Sequence, residues 1–599
     1  MDKRESTENL AAAAMGRIPG DIIVRNGTLV NVLTGLIEKN TDVIIKGNTI
    51  AFVGNASEHP ADENTKIIDA KGKYILPGLI DSHMHVESSM VDLPSFAAGV
   101  LPHGTTTICP DNHEMTNVFG VKAVELFKKT SENLPLKVYT AMPVCVPSLP
   151  GMEDAGASIN AEDVKAAYKN GWAELQGEQM NFPGVIFGDP EVHAITREGL
   201  IANKVLTGHF HSPGDSKGLN AFIASGITAC HESTQAQEAL EKVSRGMYAQ
   251  LRYGTAWLDL PNLVGAVLDN PEMDTRMFTL VTDDVTPSTI VREGHLVRVL
   301  REAVRLGIPP VKAVQMVTIN AAQLLKKSDR IGSVSPGRAA DILIADNLNN
   351  FNVELVISNG ITVAEKGRLL IDIPKYNYPG WATGSVHIPE QNAENFIIKA
   401  EGSKKAEVRV IRLIPDMVFT KQENITLTPE NGCLHADPEK DIAKISMIYR
   451  HKAEIPEKYK QFTGFITGLN FRPGYAYAST VSHDSHNLLV IGTEDKAMAL
   501  AANTLKECGG GLAVVENDRV IALMELPLAG LMSLKSVKEA SEELENIENA
   551  LKQTGCPHES VEMTISLLGL VVLGELHISN RGLVELKGGK PPEFTDLFL

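Results

Sequence analysis

The sequence predicts an α/β protein centred on a parallel (β/α)8 barrel, and three observations carry that prediction. Apolar or β-branched runs recur at 74–83, 104–110, 137–146, 172–178, 204–210, 226–231, 247–253 and 277–283. Helical patterns fill most of the intervals, among them NVFGVKAVELFKKTSENL and AQEALEKVSRG. Eight strands alternating with helices over about 250 residues suit a closed barrel. An open doubly wound sheet is the runner-up, but no G-x-G-x-x-G follows the first strand. Finally, two β-rich blocks bracket the alternating section, as expected of a second, smaller unit made from both of its flanks.

The elements follow in chain order. Residues 1–20 contain LAAAAMG behind mixed acidic and basic side chains, too short and too weakly apolar for a signal peptide, so a short arm or helix is expected. Residues 21–76 hold DIIVRNGTLVN, DVIIKGNTIAFVG and TKIIDAKGKYI, β-rich runs broken by Asn-Gly, Gly-Asn and Lys-Gly turn signals. The same texture returns over 331–384, in IGSVSPGRAADILIADN and VELVISNGITVAEKGRLL, so the two blocks are expected to pair as one small β-sandwich. The barrel takes residues 77–330, and two amphipathic helical patterns follow its last strand. Residues 385–599 change texture again and read as a separate C-terminal α/β domain, in which LPLAGLMS (526–533) resembles a helix start.

Composition narrows the class. The chain has 599 residues, a net charge of −18 and 43% hydrophobic residues. That charge argues against non-specific affinity for nucleic acid, and no apolar run approaches membrane-spanning length. Six cysteines without a C-x-x-C pair read as reduced thiols, so a cytoplasmic protein is expected.

Active sites of such barrels gather at the C-terminal strand ends. His83 and His85 end strand 1, and residues i and i+2 of a strand share a face. Glu178 ends strand 4, His209 strand 5, His231 strand 6, and Asp283 with Asp284 strand 8. Each alone has an ordinary structural explanation: a first-turn glutamate, a satisfied histidine, an aspartate cap. Together they place four histidines and two carboxylates on one rim, enough for two divalent ions with one carboxylate bridging. At strand 5, GHFHSPG offers both His209 and His211.

This strand-end pattern resembles the amidohydrolase superfamily. Glu178 in QGEQMN stands where many relatives have a carboxylated lysine, and DNHEMTNVFG (111–120), HDSHNLLVIGTED (483–495) and LPLAGLMS are similar to the adenine deaminase (adenine aminohydrolase) family. The resemblance covers nearly all of the chain from about residue 20. It implies that His83 and His85 hold one metal, His209 and His231 a second, that Glu178 bridges them and that Asp283 coordinates. The Thr-Gly-His context selects His209 over His211.

The implied reaction is hydrolytic deamination of adenine to hypoxanthine and ammonia by a metal-bound hydroxide. The metals would be manganese or iron, with zinc compatible, and a metal lowers the pKa of water from about 15.7 to about 7. Asp283 would act as base and then acid, with Glu178 and His231 as its catalytic companions. Asp284, Glu114 and His113 would meet the purine edge. The expected partner is a small molecule, with neither nucleic acid nor membrane, and a homodimer is the default assembly.

Two features leave alternatives. DNHE replaces the family's usual Asp-Pro-His-Glu, which keeps open another amino-heterocycle or a cyclic amide as substrate. His483 and His486, with Asp484, raise a second metal site in the C-terminal domain, although LLVIGT behind them reads as a strand and favours a turn network or a lid over the barrel mouth.

Overall fold

The computed structural model describes residues 5–255, 257–402, 404–414, 419–558, 560–572, 574–586 and 592–599. The first four residues of the expected N-terminal arm lie outside these. The rest of the arm forms a helix, Thr7–Ala14, begun by Ser6, whose hydroxyl accepts the Asn9 N–H.

Strands Ile22–Asn31, Leu36–Lys46, Thr49–Gly54, Lys66–Asp69 and Tyr74–Pro77 join four strands from 342–369 in one nine-stranded sheet. The flanks meet where Tyr74–Pro77 runs antiparallel to Ile342–Ala345. Alternation along the first strand sends Ile22 and Val24 to one buried cluster and Ile23 to another, against the N-terminal helix. Ile50 and Ile357 stand far apart in the strand order yet share the first cluster, and Lys66 donates to Thr362 across the gap. The sheet therefore folds over on itself.

The barrel strands are Leu79–His85 (strand 1), Thr105–Pro110 (2), Lys137–Val138 with Ala141–Met142 (3), Leu175–Gln179 (4), Leu206–Gly208 (5), Ala229–Cys230 (6), Tyr248–Arg252 (7) and Phe278–Val281 with Asp283–Asp284 (8). Neighbours are parallel throughout. The ring closes where Asp283 pairs with Met84 and Asp284 with His85. One apolar run of the sequence divides: 74–77 belongs to the folded-over sheet and 79–85 to the barrel. Asp92 and Thr286 cap the helices Leu93–Val100 and Pro287–Glu293, accepting the N–H groups of Ser95 and Thr289.

The C-terminal residues form an eight-stranded sheet with the helix Asp495–Cys508 buried on one face. This domain sits on the C-terminal rim of the barrel. Its helix Val537–Gln553 lies along Pro287–Glu293, with Ser541 donating to Ser288 and Arg292 paired to Glu545 at 2.6 Å. Arg581 clasps Asp154 in the loop after strand 3. LPLAGLMS is a tight turn, not a helix start: Leu528 bridges Met532, and Ala529 and Gly530 both have positive φ. Among the described residues no helix is long and apolar enough to cross a membrane.

Glu562, on the helix Val561–Ser566, is buried, and burial together with Glu548 pushes its carboxyl up to about 8. An acid raised above its unfolded value of 4.5 stabilises fully below that value and loses its contribution as pH climbs to about 8. Glu562→Gln is expected to raise the thermal midpoint by several degrees at pH 8 and to leave it unchanged at pH 4. An equal shift at both would count against a buried, neutral carboxyl.

Candidate metal centre

The period of strand 1 turns His83 and His85 into the barrel mouth and Met84 into the apolar core. The other ends bring up their donors. Glu178 Oε1 lies 3.5 Å from His85 Nε2 and 3.4 Å from His113 Nε2. Its Oε2 lies 2.6 Å from His209 Nδ1 and 3.2 Å from His231 Nε2. Asp283 Oδ1 stands 3.4 Å from His83 Nε2 and 3.3 Å from His85 Nε2. Glu178 thus touches four imidazoles and Asp283 two. Asp283 holds this place at φ 62°, a left-handed conformation that aspartate tolerates better than most residues.

Hydrogen bonds around the centre fix its tautomers. His85 Nδ1 lies 2.9 Å from the carbonyl of Asp111, which can only accept, so Nδ1 carries the proton. In the neutral ring Nε2 is then a lone pair turned toward two carboxylate oxygens. Burial opposes a second proton on this ring while Asp283, Asp284 and Glu178 favour it, so the lone pair is met either by that proton or by a metal cation. His83 Nε2 is likewise buried without a hydrogen bond. Imidazole nitrogen and carboxylate oxygen are donors that manganese, iron and zinc accept, so these residues fit a metal.

Asp111 also orients Glu178, its Oδ2 accepting the Glu178 N–H at 2.6 Å. Gly177 permits this approach, because a Cβ there would fall 2.4 Å from the same oxygen.

Burial alone would raise the Glu178 and Asp283 carboxyls, but the facing histidines hold both well below the usual carboxylate range. Burial, and then His83, lowers His231 to about 4, so its ring stays neutral.

The other expected residues stand around this cluster. His113 lies between Glu178 and Glu114, 3.8 Å from Glu114 Oε1. Asp284 accepts from Ser88 and from Trp257 Nε1 at 2.9 Å, and one of its oxygens still lies within 4.8 Å of ligand atoms of His85 and Asp283. His209, and not the partly exposed His211, meets Glu178. Asn112, the departure in DNHE, is buried with both amide atoms unpartnered, directly before His113.

Sequence reasoning missed Arg252 and Glu232. Arg252 ends strand 7 and reaches Glu232, Asp259 at 2.6 Å and Asp283 Oδ2 at 3.0 Å. A search of strand ends for metal ligands passes over arginine, although its position on the rim was a usable signal. Glu232 directly follows His231 and lies 3.6 Å from both His209 and His231.

A closed parallel barrel with these donors on its C-terminal rim defines a metal-dependent hydrolase. Residues 74–363 match the amidohydrolase family and residues 417–590 the adenine deaminase C-terminal domain. The adenine deaminase of Clostridium botulinum is 43% identical, over 99% of this chain and 98% of its own. That of Moorella thermoacetica is 43% identical over 97% and 96%, and that of Rubrobacter xylanophilus 41% over 97% and 96%. The chain belongs to the adenine deaminase family.

Proposed function

We propose that this protein hydrolyses adenine to hypoxanthine and ammonia. The carrying observation is the gathering of His83, His85, His209 and His231 around Glu178 and Asp283, in a chain whose relatives bear the name adenine deaminase. In this reading His83, His85, Glu178, His209, His231 and Asp283 hold two divalent ions, manganese or iron, with zinc compatible. Bound there, the ions supply hydroxide at neutral pH by lowering the pKa of water from about 15.7 to about 7.

The chain's own residues do the rest. Arg252 fixes Asp283 Oδ2, and Oδ1, which faces His83 and His85, is the oxygen that takes a proton and returns it toward the substrate. His231 polarises the reacting centre to the extent that its ring is not committed to a metal. Asp284 accepts hydrogen bonds from Ser88 and Trp257 and is suited to accept a ring N–H of the purine as well.

A cleft of about 450 Å³, counting its open mouth, lies between the rim and the C-terminal domain. Met90, Leu531 and Met563 give it apolar walls for a planar ring, and Ser88 and Glu114 give it polar edges. Residues 77–330 carry the chemistry, while 21–76 with 331–384, and 385–599, support it. The protein is read as a cytoplasmic homodimer acting on a small molecule.

The test is ammonia release from adenine by metal-stripped protein reloaded with manganese, iron or zinc. Turnover to hypoxanthine restored by metal supports the reading. Silence with every metal, despite two ions bound per chain, would sink adenine and turn the search to other amino-heterocycles.

A further inference from the structure

Glu114 opens the helix His113–Phe119 after strand 2, and the C-terminal domain grips it. His486 Nε2 meets Glu114 Oε2 from 372 residues along the chain, and His483 Nδ1 lies 2.8 Å from Glu114 Oε1. Glu114 and His486 are buried, and the His483 side chain is 13% exposed. One carboxylate and two histidines this close could hold an ion.

The protons argue otherwise. The Ser482 N–H donates to His486 Nδ1 at 3.2 Å, so Nδ1 carries the lone pair and Nε2 the proton. His486 therefore presents a donor to Glu114. The acceptor is already satisfied and needs no cation.

The loop that holds His486 is braced from behind. Arg450 is fully buried and donates to the carbonyls of His486, Ser385 and Ala529. Gly530 lies at φ +70°, and a Cβ there would stand 2.8 Å from Arg450 Nη1. The HDSHN and LPLAGLMS stretches thus converge on one guanidinium, whose brace ends at Glu114 in the other domain.

We propose that the C-terminal domain completes the active site by positioning Glu114 through His486 and His483, with hydrogen bonds in place of a metal ion. This rests on the proposed adenine hydrolysis, in which Glu114 meets the substrate. His486 and His483 are positioning residues, acting through that carboxylate.

His486→Phe and His483→Ala are each expected to lower kcat about 10- to 100-fold, the scale of a lost charge-assisted hydrogen bond. KM stays within about threefold, because the apolar walls of the cleft are untouched. Metal content stays at the wild-type value. His483→Asn keeps a donor near the place of Nδ1 and recovers most of the loss. Combined with Glu114→Gln, neither histidine change costs more than Glu114→Gln alone, since coupled residues do not add.

A kcat within about threefold of wild type in both single variants would overturn the proposal. So would losses that multiply with Glu114→Gln, or one metal equivalent lost from His483→Ala, which would make the cluster an ion site. A wild-type protein inert toward adenine would count against the proposed reaction instead, and the metal analysis of His483→Ala would still decide between hydrogen bonds and an ion.

Discussion

Glu178→Gln is expected to abolish adenine turnover, by about 10⁴-fold or more, the scale seen when one member of a catalytic unit is removed. The substitution keeps the size of the side chain but replaces one carboxylate oxygen by an NH₂ group. Both oxygens of Glu178 are engaged, each facing two imidazole nitrogens within 3.5 Å. Whichever end the amide nitrogen takes, two histidines lose an anionic partner and the bridging position loses a ligand. Metal content after dialysis should fall along with the rate. The backbone stays in place, because Asp111 holds the Glu178 N–H and not its side chain. A variant that kept its full complement of metal and a tenth of the rate would rule Glu178 out as the bridge.

Arg252→Met is expected to cost about 3–5 kcal/mol of stability, the penalty for breaking a buried ion pair from one side. Arg252 is surrounded by Glu232, Asp259 and Asp283, with 8% of its side chain exposed. Burial opposes its charge, but Glu232, Asp283 and Asp259 together raise its pKa above the ordinary arginine value. Methionine fills much of the space and leaves three carboxylates without that cation. Arg252→Lys should recover only part of the loss, since an ammonium cannot span three acceptors as the planar fork does. The urea midpoint of the three proteins in the same metal-loaded state checks this. Equal midpoints for wild type and Arg252→Met would mean that the bound ions alone neutralise the carboxylates.

The sequence carried much of this architecture because barrel strands are local events. Each run that reads as a barrel strand is short and rich in apolar or β-branched residues, and the rule that chemistry sits at the C-terminal strand ends converts a strand list into a short set of candidates. His83 and His85 needed only the two-residue period of strand 1, and Glu178, His209, His231 and Asp283 needed only their places after apolar runs. Elsewhere local pattern misled. LPLAGLMS has the composition of a helix start, but two successive residues at positive φ turn it back on itself against Arg450.

By itself, then, the sequence determined that His83, His85, Glu178, His209, His231 and Asp283 reach the barrel rim, since strand period and strand order are properties of short segments. Only the tertiary structure decided what each of them meets there. It turned His85 Nε2 inward through the Asp111 carbonyl, set Arg252 among three carboxylates, and brought His486 to Glu114 across 372 residues of chain. A histidine has the same letter whether it offers a proton or a lone pair. The partner on its far nitrogen chooses between them, and that partner is fixed by packing between segments that no local pattern connects.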